Sequence, residues 1–233
     1  MCNWLQNKYL QSLIASSKAL FHVLYPDNCT HCKVELLSDE FHICTFCEAE
    51  LLQVYVAPME LDFLKDYPCY IPYIFKNNTP IQTIIHHLKY ASNPWIGRHL
   101  GNRIASIISA HSYPQLLVPV PLSSKKKFLR GYNQSEWICK GIQAHLKIPI
   151  ELHFLKRVQD TQSQTKLRKS NRQKNVEGAF ALSSKLLNPS INHIGLVDDV
   201  ITTGATLLAI IRVIKQKYPT LQITIFAAAL AQK

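Results

Sequence analysis

The chain has 233 residues, enough for one ordinary α/β domain and a small accessory module. Apolar residues make up 47%, which excludes wholesale disorder and supplies a buried core. Its 26 Lys and Arg against 15 Asp and Glu give a formal charge of +11, pointing to anionic partners: phosphorylated metabolites, nucleic acid or an acidic membrane face.

Near the N-terminus, Leu5, Tyr9, Leu13, Leu20 and Leu24 recur at helical intervals, so Trp4 to Leu24 reads as an amphipathic helix that Pro26 stops. We assign residues 1–25 to it. With only two lysines it suits docking on its own protein better than lying on a membrane surface. No basic start leads into an unbroken apolar run, and stretches such as Ile223 to Ala231 are too short to span a bilayer. A soluble, cytoplasmic protein is the expectation.

Next comes Cys29-x2-Cys32-x11-Cys44-x2-Cys47, while Cys2, Cys69 and Cys139 stand alone. An odd count with two close pairs suits metal ligation in a reducing compartment better than a disulfide framework. The spacing is that of two knuckles giving four thiolates to one tetrahedral zinc. His31 and His42 lie close enough to substitute, but four thiolates need no help. A closed set leaves no open position, so the zinc is structural. Residues 26–55 form this module and residues 56–233 the main domain.

Val54 to Pro80 is irregular, with a short strand over Tyr70 to Phe75. Helices follow over Ile81 to Tyr90 and Trp95 to Ala110, separated by Asn93 and Pro94. Leu116 to Val120 reads as a strand, Gly131 to Leu146 as a helix and Ile148 to Leu152 as a strand. Ile194 to Val197 is a buried strand, Ala205 to Tyr218 a helix and Leu221 to Ala229 the last strand. Such alternation predicts a Rossmann-like α/β fold: a mostly parallel sheet flanked by helices, with ligands beyond the C-terminal strand ends.

At one such end stands VDDVITTGAT, Val197 to Thr206. Two adjacent acids after an apolar run are costly to bury unpaired. Thr202, Thr203, Gly204, Ala205 and Thr206 then offer successive backbone N–H groups and three hydroxyls at a helix start, which is an anion cradle. Asp198 and Asp199 suit vicinal hydroxyls such as a ribose presents, and could help place Mg²⁺. Capping alone would need one such residue, not five around a glycine.

Two further segments carry charge. After Leu117 to Val120, Pro121 stiffens a turn into Lys125, Lys126, Lys127, Arg130, Gly131, Tyr132, Asn133 and Gln134. The lysines can neutralise a diphosphate, and Arg130 offers a planar fork. Asn133 and Gln134 either bond the same region or brace the helix. Arg157 to Phe180 is polar and basic, a disordered surface loop or a functional lid. Between Lys125 and Lys174 thirteen basic residues face three acids.

VDDVITTGAT resembles the phosphoribosyl pyrophosphate (PRPP) motif of type I phosphoribosyltransferases. The resemblance implies that Asp198 and Asp199 bind the ribose 2′ and 3′ hydroxyls and that Thr202 to Thr206 bind the 5′-phosphate, with Mg²⁺ accompanying PRPP. The Pro121 turn resembles the pyrophosphate loop of those enzymes. The basic stretch lies where they carry a closing loop, with Arg157, Gln164, Arg172 and Asn175 as candidate contacts.

One family joins these pieces in order. The two Cys-x2-Cys pairs, HHLKY (His86 to Tyr90), PVPL with RGYNQ, Gln164-x2-Leu167-x4-Arg172-x2-Asn175 and LVDDVITTGAT together resemble the ComF proteins of bacterial competence. The likeness runs from about Pro26 to the C-terminus. It departs in the lysine trio, where an arginine commonly precedes RGYNQ, and in a tyrosine for the usual phenylalanine. It implies a PRPP-binding protein of natural transformation that handles incoming single-stranded DNA beside other DNA-uptake proteins. The alternative it leaves open is an active phosphoribosyltransferase whose acceptor no residue reveals. The nucleic-acid reading looks for aromatic platforms among basic residues; Tyr132 and Trp137 lie near the lysine run, with Trp137 expected in the core.

Overall fold

A computed structural model describes residues 27–38, 40–51, 61–108, 113–158, 178–184 and 186–231. The expected N-terminal helix, Gln164, Arg172 and Asn175 lie outside them. The chain divides into two compact units, Met1–Glu50 and Leu51–Lys233. Among the described residues no helix is long and apolar enough to cross a membrane.

The first unit is built on short local contacts. An antiparallel bridge joins Asn28 to Glu35, another joins Phe41 to Ile43, and one helix, α1, covers Thr45–Ala49. Lys33 adopts a left-handed φ of 67°, which lets its N–H reach back to the Cys29 carbonyl at 3.1 Å and close the first knuckle. Cys44 caps α1 by accepting from the Cys47 N–H, closing the second.

In the second unit the elements are β1 (Cys69–Tyr70), β2 (Tyr73–Phe75), α2 (Pro80–Tyr90), α3 (Trp95–Ile107), β3 (Leu116–Pro119), α4 (Ser124–Arg130), α5 (Gln134–Leu146), β4 (Leu155–Arg157), β5 (Phe180–Leu182), β6 (His193–Ile201), α6 (Ala205–Lys217) and β7 (Gln222–Ala231). β7 and β6 form the centre of a sheet in which every pairing is parallel: β3 flanks β6, while β1 and β2 lie in succession along β7. The centre is where the apolar runs are unbroken, since a strand covered on both faces has no polar alternation. Ile223 to Ala229 is wholly buried, as is Ile194 to Val197.

Glycine permits two close approaches. A Cβ on Gly195 would lie 2.4 Å from the Phe226 ring, which fills that space against Tyr70. At Gly101 it would lie 2.1 Å from the Ile138 carbonyl, so α3 and α5 cross with their backbones in contact.

Several elements differ from expectation. The Tyr70 to Phe75 strand is broken around Ile71 and Pro72, because proline has no N–H to give a ladder. Ile148 to Leu152 reduces to a single parallel bridge, Ile150 to Leu117, beside Pro149. Gly131 does not start a helix. It ends α4 in the left-handed conformation at φ 76°, and α5 begins afresh after the Asn133 cap. The lysine run is therefore helical. β4 and β5 form an unforeseen antiparallel pair, with Arg157 opposite Phe180.

Candidate anion site and cysteine centre

β6 continues past Val197, so both acids sit within the strand; Asp198 stands opposite Ala227 of β7. Val120 donates to the Val197 carbonyl at 2.9 Å, which sets the start of the Pro121 turn level with the acid pair. Asn133 then donates to the Val120 carbonyl at 2.9 Å and accepts from the Ser135 N–H, tying the head of α5 to the same place. Ser135 Oγ lies 3.5 Å from Asp198 Oδ1. From the last turn of α2, Lys89 Nζ reaches Asp199 Oδ2 at 3.2 Å.

Burial, followed by the negative charge of Asp199, pushes Asp198 up to about 7, against a lowering pull from N–H donation, Lys89 and Ser135. The pair therefore shares a proton near neutrality unless a further cation or donor joins it. Cations are close. Burial and the charges of Arg157, Arg130 and Lys89 hold Lys126 below the usual lysine range, while Asp199 pulls it back. Four basic groups thus converge on a short stretch containing two carboxylates.

Beyond β6, Gly204 takes a left-handed φ of 70° and opens α6 with no side-chain cap. The first-turn N–H groups of α6 and the hydroxyls of Thr202, Thr203 and Thr206 make the cradle. Gly204 is buried beneath Phe63, whose ring atoms lie 2.4 Å from where a Cβ would stand.

The sequence-predicted residues divide. Asp198, Asp199, Lys126, Arg130 and Arg157 come together. Lys125 and Lys127 lie on the exposed side of α4, and Lys127 instead meets Glu136 at 3.3 Å. Pro121 is half-buried in its turn. Asn133 and Gln134 brace: Gln134 accepts from Arg130 at 2.9 Å and donates to the Leu88 carbonyl at 3.4 Å. Trp137 is half-buried rather than core. Lys89 was visible only as part of HHLKY, Ser135 only as the residue after RGYNQ, and Phe63 carried no signal.

In the other unit the four Sγ atoms of Cys29, Cys32, Cys44 and Cys47 all lie within 4.8 Å of one another. Cys32 and Cys44 are 3.6 Å apart, close to the about 3.8 Å edge of a tetrahedron with 2.3 Å zinc–sulfur bonds. The Cys44 N–H points at Cys29 Sγ from 3.4 Å and the Cys47 N–H at Cys44 Sγ from 3.5 Å. Burial alone would raise Cys29; donation from Cys44, Cys32 and His31 outweighs it and brings the thiol down to about 6. Such a set can hold a metal ion such as zinc. Cys69 and Cys139 are different: both are buried, which pushes their thiols up, and they are core residues.

No family model matches the chain. Among curated proteins, competence protein F of Haemophilus influenzae is 29% identical over 203 residues, covering 84% of this chain and 87% of that protein. This chain is a relative of competence protein F. The likeness to ComF proteins carried by the motifs is thereby borne out. DNA utilization protein YhgH of Escherichia coli K12 is 29% identical over 138 residues, 56% of this chain and 59% of its own length. Its Salmonella typhimurium namesake is 28% identical over 137 residues with the same coverage.

Proposed function

We propose that this competence protein F relative binds PRPP with Mg²⁺ at the β6–α6 junction and serves DNA uptake, handling incoming single strands in the cytoplasm. One observation carries the binding half: an acid pair and an uncapped helix start share a strand end on which four basic groups converge. The names of its relatives, competence and DNA utilization, support the DNA half.

In this reading the fold is that of a type I phosphoribosyltransferase. Asp198 and Asp199 accept from the ribose hydroxyls, and Thr202, Thr203, Gly204, Ala205 and Thr206 hold the 5′-phosphate through backbone N–H and hydroxyl groups. Lys126, Arg130 and Arg157 neutralise the diphosphate, with Arg172 joining from the basic stretch. Bound Mg²⁺ would supply further charge neutralisation beside the acid pair. A structural zinc on the four cysteines holds the small module together.

Calorimetry of PRPP with Mg²⁺ tests the site. Asp199→Asn is expected to weaken binding about tenfold to a hundredfold, the loss of a charged hydrogen-bond acceptor. It should leave single-strand binding nearly unchanged. Equal PRPP affinity in variant and wild type overturns the assignment of the acid pair. Pyrophosphate release with any acceptor from a metabolite panel would turn the reading toward phosphoribosyl transfer.

A further inference from the structure

The α3–α5 pair carries chemistry that the acid pair and cradle do not use. On α3, Trp95, Arg98, His99, Asn102, Arg103 and Ser106 follow one another at three- and four-residue intervals and so share one face. On α5, Trp137, Lys140 and His145 do the same. Because Gly101 and Gly141 bring the two backbones into contact, the two polar faces flank a shared groove. Its volume is about 500 Å³, and His99, Asn102, Arg103, Ser106, Ala144 and His145 line it.

At one end stand three rings in edge contact. Trp95 and Trp137 are 5.4 Å apart between centroids, and Tyr132 and Trp137 are 6.4 Å apart. Trp95 is 53% exposed, so its ring is open to a partner. Cations sit on these rings: Lys140 Nζ lies 3.9 Å from the Trp137 centroid and the Arg98 guanidinium 5.6 Å from that of Trp95. No acid opposes them. α3 contains none, and Glu136, the acid of α5, meets Lys127.

We propose that this face is a track for single-stranded nucleic acid, with Trp95 stacking a base and Arg103 and Lys140 meeting phosphates. The inference rests on the single-strand reading above and gives that reading a place. Open aromatic rings beside unopposed cations match what a strand displays, flat bases on a chain of negative charges. An acidic peptide would satisfy the cations and leave the rings idle. From Trp95 to Ser106 the face runs about 16 Å along the helix, room for a short stretch of strand.

The test is fluorescence anisotropy of a labelled oligothymidylate with the full chain over a salt series. Trp95→Ala should weaken binding about tenfold, and Trp95→Phe should retain most of it. Arg103→Ala should flatten the plot of log affinity against log salt by about 0.7, one phosphate contact. Thermal melting and PRPP calorimetry of the same variants should match wild type. If wild type binds and neither Trp95→Ala nor Arg103→Ala differs from it, this surface is wrong while the single-strand reading stands. An effect of Arg103→Ala without one of Trp95→Ala reduces the face to bare charge and also overturns the track. Should wild type fail to bind the strand at all, both fall together.

Discussion

The cysteine centre and the β6 strand end gather charged groups by opposite routes. The four cysteines come from nineteen consecutive residues, and two tight knuckles bring their sulfurs within 4.8 Å of one another. At the strand end, Lys89, Ser135 and the Asp198–Asp199 pair come from three elements, α2, α5 and β6, with 63 residues between Ser135 and Asp198. One centre is written in spacing; the other exists only once the sheet has formed. A local centre should therefore fail alone, whereas a change in an assembled one should be felt by its distant members.

The largest expected effect falls on the cysteines. Structural zinc supplies on the order of 10–16 kcal/mol to modules of this kind, so Cys47→Ser or a strong chelator should abolish the fold of the module. Residues beyond it should keep their amide protection in hydrogen exchange, because the sheet draws on its own core. Metal analysis of freshly purified protein should give one zinc per chain, and a value far below that removes the zinc assignment. Loss of protection across β6 and β7 on chelation would break the contrast between the centres.

A smaller effect, a few kcal/mol, is expected at Asp198. Its carboxyl is raised from 3.8 to about 7, so the fold favours the protonated form. That contribution is complete below about 3.8 and is lost as the pH climbs through about 7. Asp198→Asn, which cannot ionise, should melt well above wild type at pH 8, with the gap closing toward pH 4. Melting curves in metal-free buffer measure it. A gap that stays constant with pH would show that Asp198 ionises in the fold as it does in the unfolded chain.

The contrast also explains what was legible beforehand. All four cysteines could be read because their function depends on intervals. Buried strands β6 and β7 showed as apolar runs, and TTGAT as a cradle, because backbone chemistry is local. The α4 helix was hidden, since all seven residues from Ser124 to Arg130 lack a buried face and so show no amphipathic period. β4 and β5 were hidden inside a polar stretch whose paired ends, Phe154 to Val158 and Ala179 to Ser183, are far apart in sequence. Grouping Lys125 to Lys127 failed for a simple geometric reason: on a helix, consecutive residues point about 100° apart, so only Lys126 turns toward the acids. Phe63 over Gly204 had no warning at all, because a glycine states that something approaches and never what.

That contact sets the next prediction. Gly204→Ala combines a left-handed backbone, costing about 1–2 kcal/mol, with overpacking against Phe63 of about 1–3 kcal/mol. Denaturant unfolding should register their sum in the single variant. In Gly204→Ala with Phe63→Ala, the cost added by Gly204→Ala should shrink to the backbone share. If the alanine costs the same with and without Phe63, the ring is not what holds that space.

Lys89→Met tests assembly with the smallest cost. The Lys89–Asp199 pair is 23% and 15% exposed at its two side chains, so solvent screens part of it and its removal should cost about 1 kcal/mol. The informative readout lies elsewhere. Lys89 also pulls Asp198 downward, so its loss should move the Asp198 titration above about 7. Carboxyl NMR titration of the wild type and Lys89→Met reads this directly. An upward shift means that α2, joined to β6 by folding alone, tunes the strand-end acid. An unmoved Asp198 would confine Lys89 to a pairwise contact with Asp199, and the strand end would then be as local, in its electrostatics, as the cysteine knuckles.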